Sequence, residues 1–219
     1  MWYKEATKIL FLLPAEFAHR LVFRLLGLGK ALGLIKPRIP KNCLAPIEIA
    51  GLVFPNRVGL EAGLDKNAEF AEYWSHFGFG FAEIGTVTPL PQRGNPKPRL
   101  FRLKKERAII NRMGCNNAGL ETVSRKLQKR KRNGCLIGGN IGKNKQTPNQ
   151  EAQNDYLKGL ESLHPYVDYF TINVSSPNTP ELRDLQAPQA LRRLLLPLME
   201  LNQALEPRRP LFVKLDPDM

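Results

Sequence analysis

Apolar residues along the chain fall into short β-branched and aromatic runs, separated by longer stretches of helical period. The runs Arg57–Leu60, Phe81–Val87, Cys135–Ile141, Tyr169–Val174 and Leu211–Leu215 predict strands. The stretches Ala68–His76, Leu120–Lys131, Asn149–Leu163 and Pro188–Ala204 predict helices between most of them. Such alternation predicts parallel strands joined by right-handed crossovers. A (β/α) barrel is the first expectation and an open doubly wound sheet the second. Ahead of this rhythm, Ile47-Glu48-Ile49 and Leu52-Val53-Phe54 flank Gly51 and predict a short hairpin.

Residues 1–36 have a different character. Two short helices are expected, the second carrying Phe17, Leu21, Val22, Leu25, Leu26 and Leu28 with Arg20, Arg24 and Lys30 among them. A basic amphipathic pair of this kind lies on a membrane or packs on its own protein, and pattern alone leaves both open. The apolar run Ile9–Leu13 is too short to span a bilayer and Pro14 closes it. Pro37, Pro40 and Pro46 mark a linker, so the expected division is an N-terminal helical segment, 1–36, and a barrel portion, 37–219.

Composition adds a charge. Among 219 residues the net charge is +13, which suits anionic partners such as phosphate cofactors, acidic membrane surfaces or nucleic acid. The cluster Arg125, Lys126, Lys129, Arg130, Lys131, Arg132 has no interleaved aromatic residue and reads mostly as a solvated helix face. No nucleic-acid partner is therefore expected. Cys43, Cys115 and Cys135 show no CxxC pairing and no histidine at metal spacing, which favours a reducing compartment and no metal site.

The chemistry collects at strand ends. Tyr169–Val174 runs into Ser175-Ser176-Pro177-Asn178-Thr179-Pro180, a greasy strand ending in small polar groups; alone this is equally a strand entering a turn. Yet the first strand ends in Glu61-Ala62-Gly63-Leu64-Asp65-Lys66, the second in Gly85-Thr86-Val87-Thr88 and the third in Asn140-Ile141-Gly142-Lys143-Asn144. The fifth ends at Lys214, and a polar loop, Asn111-Arg112-Met113-Gly114-Cys115-Asn116-Asn117, lies between the second and third. Polar groups at every strand end predict a ligand rim, because α/β proteins bind at the carboxyl ends of their strands. No GxGxxG follows a strand and no GxxxxGK[ST] occurs, so dinucleotide and triphosphate sites of those types are unsupported. His19, His76 and His164 fall in expected helices, away from the rim.

These blocks, together with Pro98-Arg99-Leu100-Phe101-Arg102, resemble the dihydroorotate dehydrogenase family in order and spacing over essentially the whole chain. The N-terminal helices resemble its membrane-associated, quinone-dependent class. The resemblance implies a flavoprotein on a TIM-type barrel that oxidises dihydroorotate to orotate in pyrimidine (UMP) synthesis and passes electrons through FMN to a membrane quinone. By family match Ser176 is the base. Lys66, Asn111, Arg112, Met113, Gly114, Cys115, Asn173 and Asn178 would bind substrate. Ala62, Gly63, Leu64, Asp65, Lys66, Thr86, Asn140, Asn173 and Lys214 would bind FMN, with Lys214 beside the charge of the reduced flavin. The helices would form the quinone's entrance, with His19 and Arg102 near it. The implied location is peripheral, on the cytoplasmic side of a bacterial-type inner membrane, with the mitochondrial inner membrane as the alternative.

Three positions depart from the family pattern. Glu61 stands where a small residue is usual, and a carboxylate buried there would be costly unless paired. Cys115 replaces an aromatic residue, and Glu181 a glycine. Length is a fourth departure, since a (β/α)₈ barrel needs about 250 residues. The expectation is a truncated chain with the first five of eight strands, binding FMN weakly or not at all. A catalytically inactive structural or membrane-surface module is the alternative reading.

Overall fold

The computed structural model describes residues 2–36, 44–130, 135–179 and 181–217. The linker prolines Pro37 and Pro40, Cys43, Lys131, Arg132 and Pro180 lie outside the described residues. The chain forms two compact units, Met1–Pro37 with Asn95–Met113, and Arg38–Gly94 with Gly114–Met219.

The first unit contains α1 (Trp2–Leu10) and α2 (Ala15–Ala31), as the amphipathic pattern predicts. A hairpin that the pattern does not reveal completes it: β5 (Leu100–Leu103) pairs antiparallel with β6 (Ala108–Asn111). Arg99, almost fully buried, donates two hydrogen bonds to the Glu16 carboxylate, from Nε at 3.1 Å and Nη2 at 2.8 Å. Arg102 Nη1 donates to the Leu13 carbonyl at 2.7 Å, and its guanidinium lies 4.6 Å from the centre of the Phe11 ring. The His19 ring lies 4.3 Å from that of Phe23, centre to centre, tilted by 43°. Ile9, Leu12, Phe17, Leu25 and Leu28 are exposed, and a groove on α2 is lined by Phe17, Arg20, Leu21 and Arg24.

In the second unit the expected hairpin forms between β1 (Ile47–Ile49) and β2 (Leu52–Phe54), with Ala50 and Gly51 both at positive φ in the turn. The main sheet has five strands in the order β3 (Gly59–Leu60), β4 (Phe81–Val87), β7 (Leu136–Ile141), β8 (Tyr169–Asn173), β9 (Leu211–Lys214). Every neighbouring pair is parallel. Strand order follows chain order with no reversal. A doubly wound sheet reverses at a switch point, so the topology is that of consecutive barrel strands. The described strands do not close into a barrel.

Helices α3 (Gly119–Gln128), α4 (Ala152–Leu163) and α5 (Pro188–Ala204) cover one face of the sheet. Ile84, Ile137, Phe170, Ile172, Tyr156, Leu160, Leu163 and Leu198 are fully buried and form the core. On the other face a layer of rings lies at the amino ends of the strands. Phe54 sits 5.0 Å from Phe81 and 5.9 Å from Tyr169, and Tyr169 sits 5.4 Å from Phe212, centre to centre. Gly59 and Gly138 make room for this layer: a Cβ would come within 2.1 Å of the Phe81 ring at Gly59 and 2.4 Å of the Tyr169 ring at Gly138.

One expected helix, Ala68–His76, does not form; turns lead to a short 3₁₀ segment at Trp74–Phe77. The cause is Asp65. Its carboxylate accepts from the backbone N–H of Glu69 (2.7 Å) and Phe70 (2.9 Å) and from Trp74 Nε1 (2.9 Å). This local network competes with helical bonding, and Ala68 is at φ +53°.

Candidate functional site

Above the ring layer the same face of the sheet turns polar. Glu83, in mid-β4, is in register with Gly138, which offers no side chain to fill the space. Its carboxylate accepts from Thr171 Oγ1 at 2.8 Å, Tyr169 OH at 3.4 Å and Asn140 Nδ2 at 3.2 Å. Burial and the neighbouring Glu83 carboxylate push the Tyr169 hydroxyl's pKa far up, which keeps it a donor. One layer higher, Thr86 Oγ1 donates to Asn140 Oδ1 at 2.6 Å and accepts from Asn173 Nδ2 at 2.7 Å. Asn173 Oδ1 then accepts from the backbone N–H and Oγ of Ser175, both at 3.1 Å. Thr86, Asn140, Asn173 and Ser175 are all buried. Tyr156 OH, from α4, donates to the Asn173 carbonyl at 2.7 Å and fixes the end of β8.

Ser176 follows in the loop after β8. Its Oγ accepts from the Asn178 N–H at 3.3 Å and from the Cys115 thiol at 3.8 Å, and Thr179 Oγ1 donates to Cys115 Sγ at 4.0 Å. Cys115 therefore lies at contact distance from two hydroxyls. Lys66 Nζ donates to Asn116 Oδ1 at 2.6 Å, joining the loop after β3 to the segment that carries Cys115. Gly114 and Cys115 are held by their carbonyls, which accept from Gln92 Nε2 at 3.4 and 3.1 Å.

Glu61 is not buried; its side chain is 67% exposed, and Oε1 pairs with Lys214 Nζ at 2.8 Å. The carboxylate carries no burial cost, but it sits on the cation assigned by resemblance to the flavin. Of the other residues expected at the cofactor, Gly63 donates its N–H to the Gly85 carbonyl at 2.9 Å, and Ala62 and Leu64 flank it on the surface. Asp65 points inward, and desolvation raises its pKa against the pull of its three donors. Asn111, Arg112 and Met113 belong to the first unit, where Arg112 donates to the Pro98 carbonyl at 2.9 Å through Nη2.

Sequence reasoning singled out Thr86, Asn140, Asn173 and Ser176 but passed over Glu83 and Thr171. A lone acid in the middle of a buried strand was the available signal for Glu83. Asn117 and Asn144 stood in the expected rim loops without a role of their own. Asn144 Nδ2 donates to Thr88 Oγ1, the Leu90 carbonyl and Gln92 Oε1 at 3.1, 2.9 and 3.1 Å, and Asn117 Nδ2 donates to Thr88 Oγ1 at 2.9 Å. They hold the rim loops together. Lys143 is buried and bonds the Thr147 carbonyl at 2.8 Å, and burial lowers its pKa. Among the described residues, no group of three or more His, Cys, Asp or Glu could hold a metal ion.

The residues fit a flat heterocycle with a polar edge. A Cβ built on Gly63, at φ +116°, meets nothing within 4 Å, so the backbone there is open to a ring. The Asn140–Thr86–Asn173 chain supplies both donors and acceptors, and Lys214 a cation. Parallel strands in chain order with a polar rim at their carboxyl ends define an α/β-barrel type of binding protein.

The comparisons specify the family. The family model described as dihydroorotate dehydrogenase matches residues 44–219, and the chain belongs to that family. It is 50% identical, over 99% of its own length, to a dihydroorotate dehydrogenase (quinone) of Marinobacter nauticus, of which it covers 65%. It is 48% identical to the protein of the same name from Xanthomonas campestris, covering 63% of that chain. The crystal structure of DHODH in complex with ferulenol from Eimeria tenella superposes with a TM-score of 0.82 at 40% identity, over 93% of this chain and 60% of that one. The chain spans less than two thirds of the length of these relatives.

Proposed function

We propose that the rim of the parallel sheet binds FMN and dihydroorotate, and that the protein oxidises dihydroorotate to orotate for UMP synthesis with a membrane quinone as final acceptor. The observation that carries this reading is the buried chain Asn140–Thr86–Asn173 ending beside Ser176, in a chain of this family. Asn140, Thr86 and Asn173 would hold the flavin edge, with Gly63 beside the ring and Lys214 near its charge. FMN when bound supplies a hydride acceptor.

The remaining chemistry belongs to this chain's own residues. Ser176 Oγ would take the proton from the substrate carbon next to the one that gives up hydride, releasing its own hydroxyl proton to solvent, which the half-buried side chain reaches. A free serine is a poor base. Two donors already face its oxygen, the Asn178 N–H and the Cys115 thiol, and they stabilise negative charge that develops there. Asn173, Asn178, Lys66, Gly114 and Cys115 would orient the substrate. A spectral titration with FMN, followed by anaerobic dihydroorotate, tests this: saturable binding and bleaching support it. A folded chain that binds no flavin would instead favour a structural or membrane-surface module.

No helix among the described residues is long and apolar enough to cross a membrane. The exposed apolar residues of α2, with Arg20 and Arg24 on the same helix, support peripheral contact with the anionic face of a bacterial-type inner membrane. Salt-sensitive co-sedimentation with anionic vesicles, lost in Arg20→Glu/Arg24→Glu, is the expected result; equal binding to neutral vesicles would contradict it.

A further inference from the structure

We propose that Glu83 is a positioning residue: it fixes the donor–acceptor sense of the Asn140–Thr86 link, and so decides which Asn140 amide atom is turned towards a ligand. This rests on the reading of the rim as a flavin and pyrimidine site, and deepens it.

An asparagine side chain has nearly the same shape either way round, and its partners decide which end is the donor. A carboxylate can only accept. Glu83 therefore requires the Asn140 amide to face it with nitrogen, as the 3.2 Å contact shows. The Asn140 oxygen must then face Thr86, which has one proton and gives it, at 2.6 Å. Having spent that proton, Thr86 Oγ1 can only accept, and it does so from Asn173 Nδ2 at 2.7 Å. The far end of the chain is fixed too. The backbone N–H of Ser175 can only donate, and it holds Asn173 Oδ1 at 3.1 Å.

The chain is thus pinned at both ends, by an acceptor-only group at Glu83 and a donor-only group at Ser175. Thr171 and Tyr169 donate to Glu83 as well, so its whole surroundings are arranged for an acceptor. A glutamine at position 83 keeps the shape but can donate. Asn140 could then turn over and give its hydrogens to Thr86, while Ser175 still holds Asn173. The loss of order falls on Asn140 and Thr86 and spares Asn173, a pattern that general loosening of the core would not produce.

The test compares wild type with Glu83→Gln, using side-chain ¹⁵N amide resonances of Asn140 and Asn173 in the protein without ligand. The expected result is one Asn140 NH₂ pair in wild type and a shifted, split or broadened pair in Glu83→Gln, with the Asn173 pair unchanged. An unchanged Asn140 pair, or equal disturbance of both, would overturn the proposal. The double variant Glu83→Gln/Asn140→Asp moves the acceptor-only group one link along, beside Thr86. It is expected to recover at least half of the Tm lost in Glu83→Gln; losses that simply add would count against the proposal. FMN affinity is expected to fall at least fivefold in folded Glu83→Gln, and affinity within twofold of wild type contradicts the ligand-facing part. If wild type itself binds no flavin, the functional reading fails while the resonances still decide the role of Glu83.

Discussion

Lys214 Nζ lies 2.8 Å from Glu61 Oε1, so the cation at the end of β9 meets a carboxylate from the loop after β3. A bare cation beside a reduced, anionic flavin favours reduction; a paired one favours it less. Glu61→Ala is therefore expected to raise the flavin midpoint potential. An exposed pair contributes about 0.2–1 kcal/mol, which for a two-electron couple corresponds to about 5–20 mV. Spectroelectrochemistry of the flavin-loaded protein checks the sign; an unchanged or lowered potential would show that the pair does not reach the flavin.

The two described cysteines should differ sharply in reactivity. Burial pushes the Cys135 thiol up to about 11, leaving about one thiolate in a thousand at pH 8. Cys115 is half-exposed and touches the Ser176 hydroxyl. Iodoacetamide at pH 8, read by peptide mass spectrometry, is expected to label Cys115 at least ~10-fold faster than Cys135, and orotate is expected to slow that labelling. Equal rates, or no protection, would remove Cys115 from the pocket.

Glu181 sits at φ +57°, a conformation that costs any residue with a Cβ. The family's usual glycine at this position has a backbone reason. Glu181→Gly is expected to stabilise the protein by about 0.5–1 kcal/mol, a rise in Tm of a few degrees at most, whereas Glu181→Ala, which keeps the Cβ, gains little. Equal effects of the two changes would mean that the gain is not conformational.

The strands were legible because Phe81–Val87 and Tyr169–Asn173 are short runs rich in aromatic and β-branched residues, and the sheet order followed from the helices between them. The hairpin of β5 and β6 was not, because Phe101, Ile109 and Ile110 are exposed and give no buried face to detect. The absent helix at 68–76 was hidden in one side chain, since nothing in the period shows that Asp65 will bind three donors. Thr86, Asn140 and Asn173 were legible as polar groups at strand ends. The sense of Asn140 and Thr86 was not, because it depends on Glu83, which only the register brings beneath them.

Arg99 and the nearby Lys97 hold the Glu16 carboxyl below its usual range. A lowered carboxyl pKa stabilises the fold fully above the unfolded value, about 4.3. That contribution is lost as pH falls through the lower folded value. Denaturation of the N-terminal unit, followed by limited proteolysis, is expected to show this loss below about pH 4.3 in wild type. Arg99→Met is expected to cost about 1.5–3 kcal/mol at neutral pH and to flatten the acid dependence. An acid dependence as steep as wild type in that variant would assign it elsewhere.

Ser176, in the loop after β8, is proposed as the base of a dihydroorotate-oxidising flavin site. The most direct measurement is stopped-flow, anaerobic bleaching of protein-bound FMN by dihydroorotate, in wild type and Ser176→Ala at matched flavin occupancy. The account predicts bleaching in wild type and a rate at least about 100-fold lower in Ser176→Ala, the range expected for loss of a general base, with flavin still bound. Bleaching at an undiminished rate in Ser176→Ala, or flavin-loaded wild type that dihydroorotate does not bleach, would contradict it.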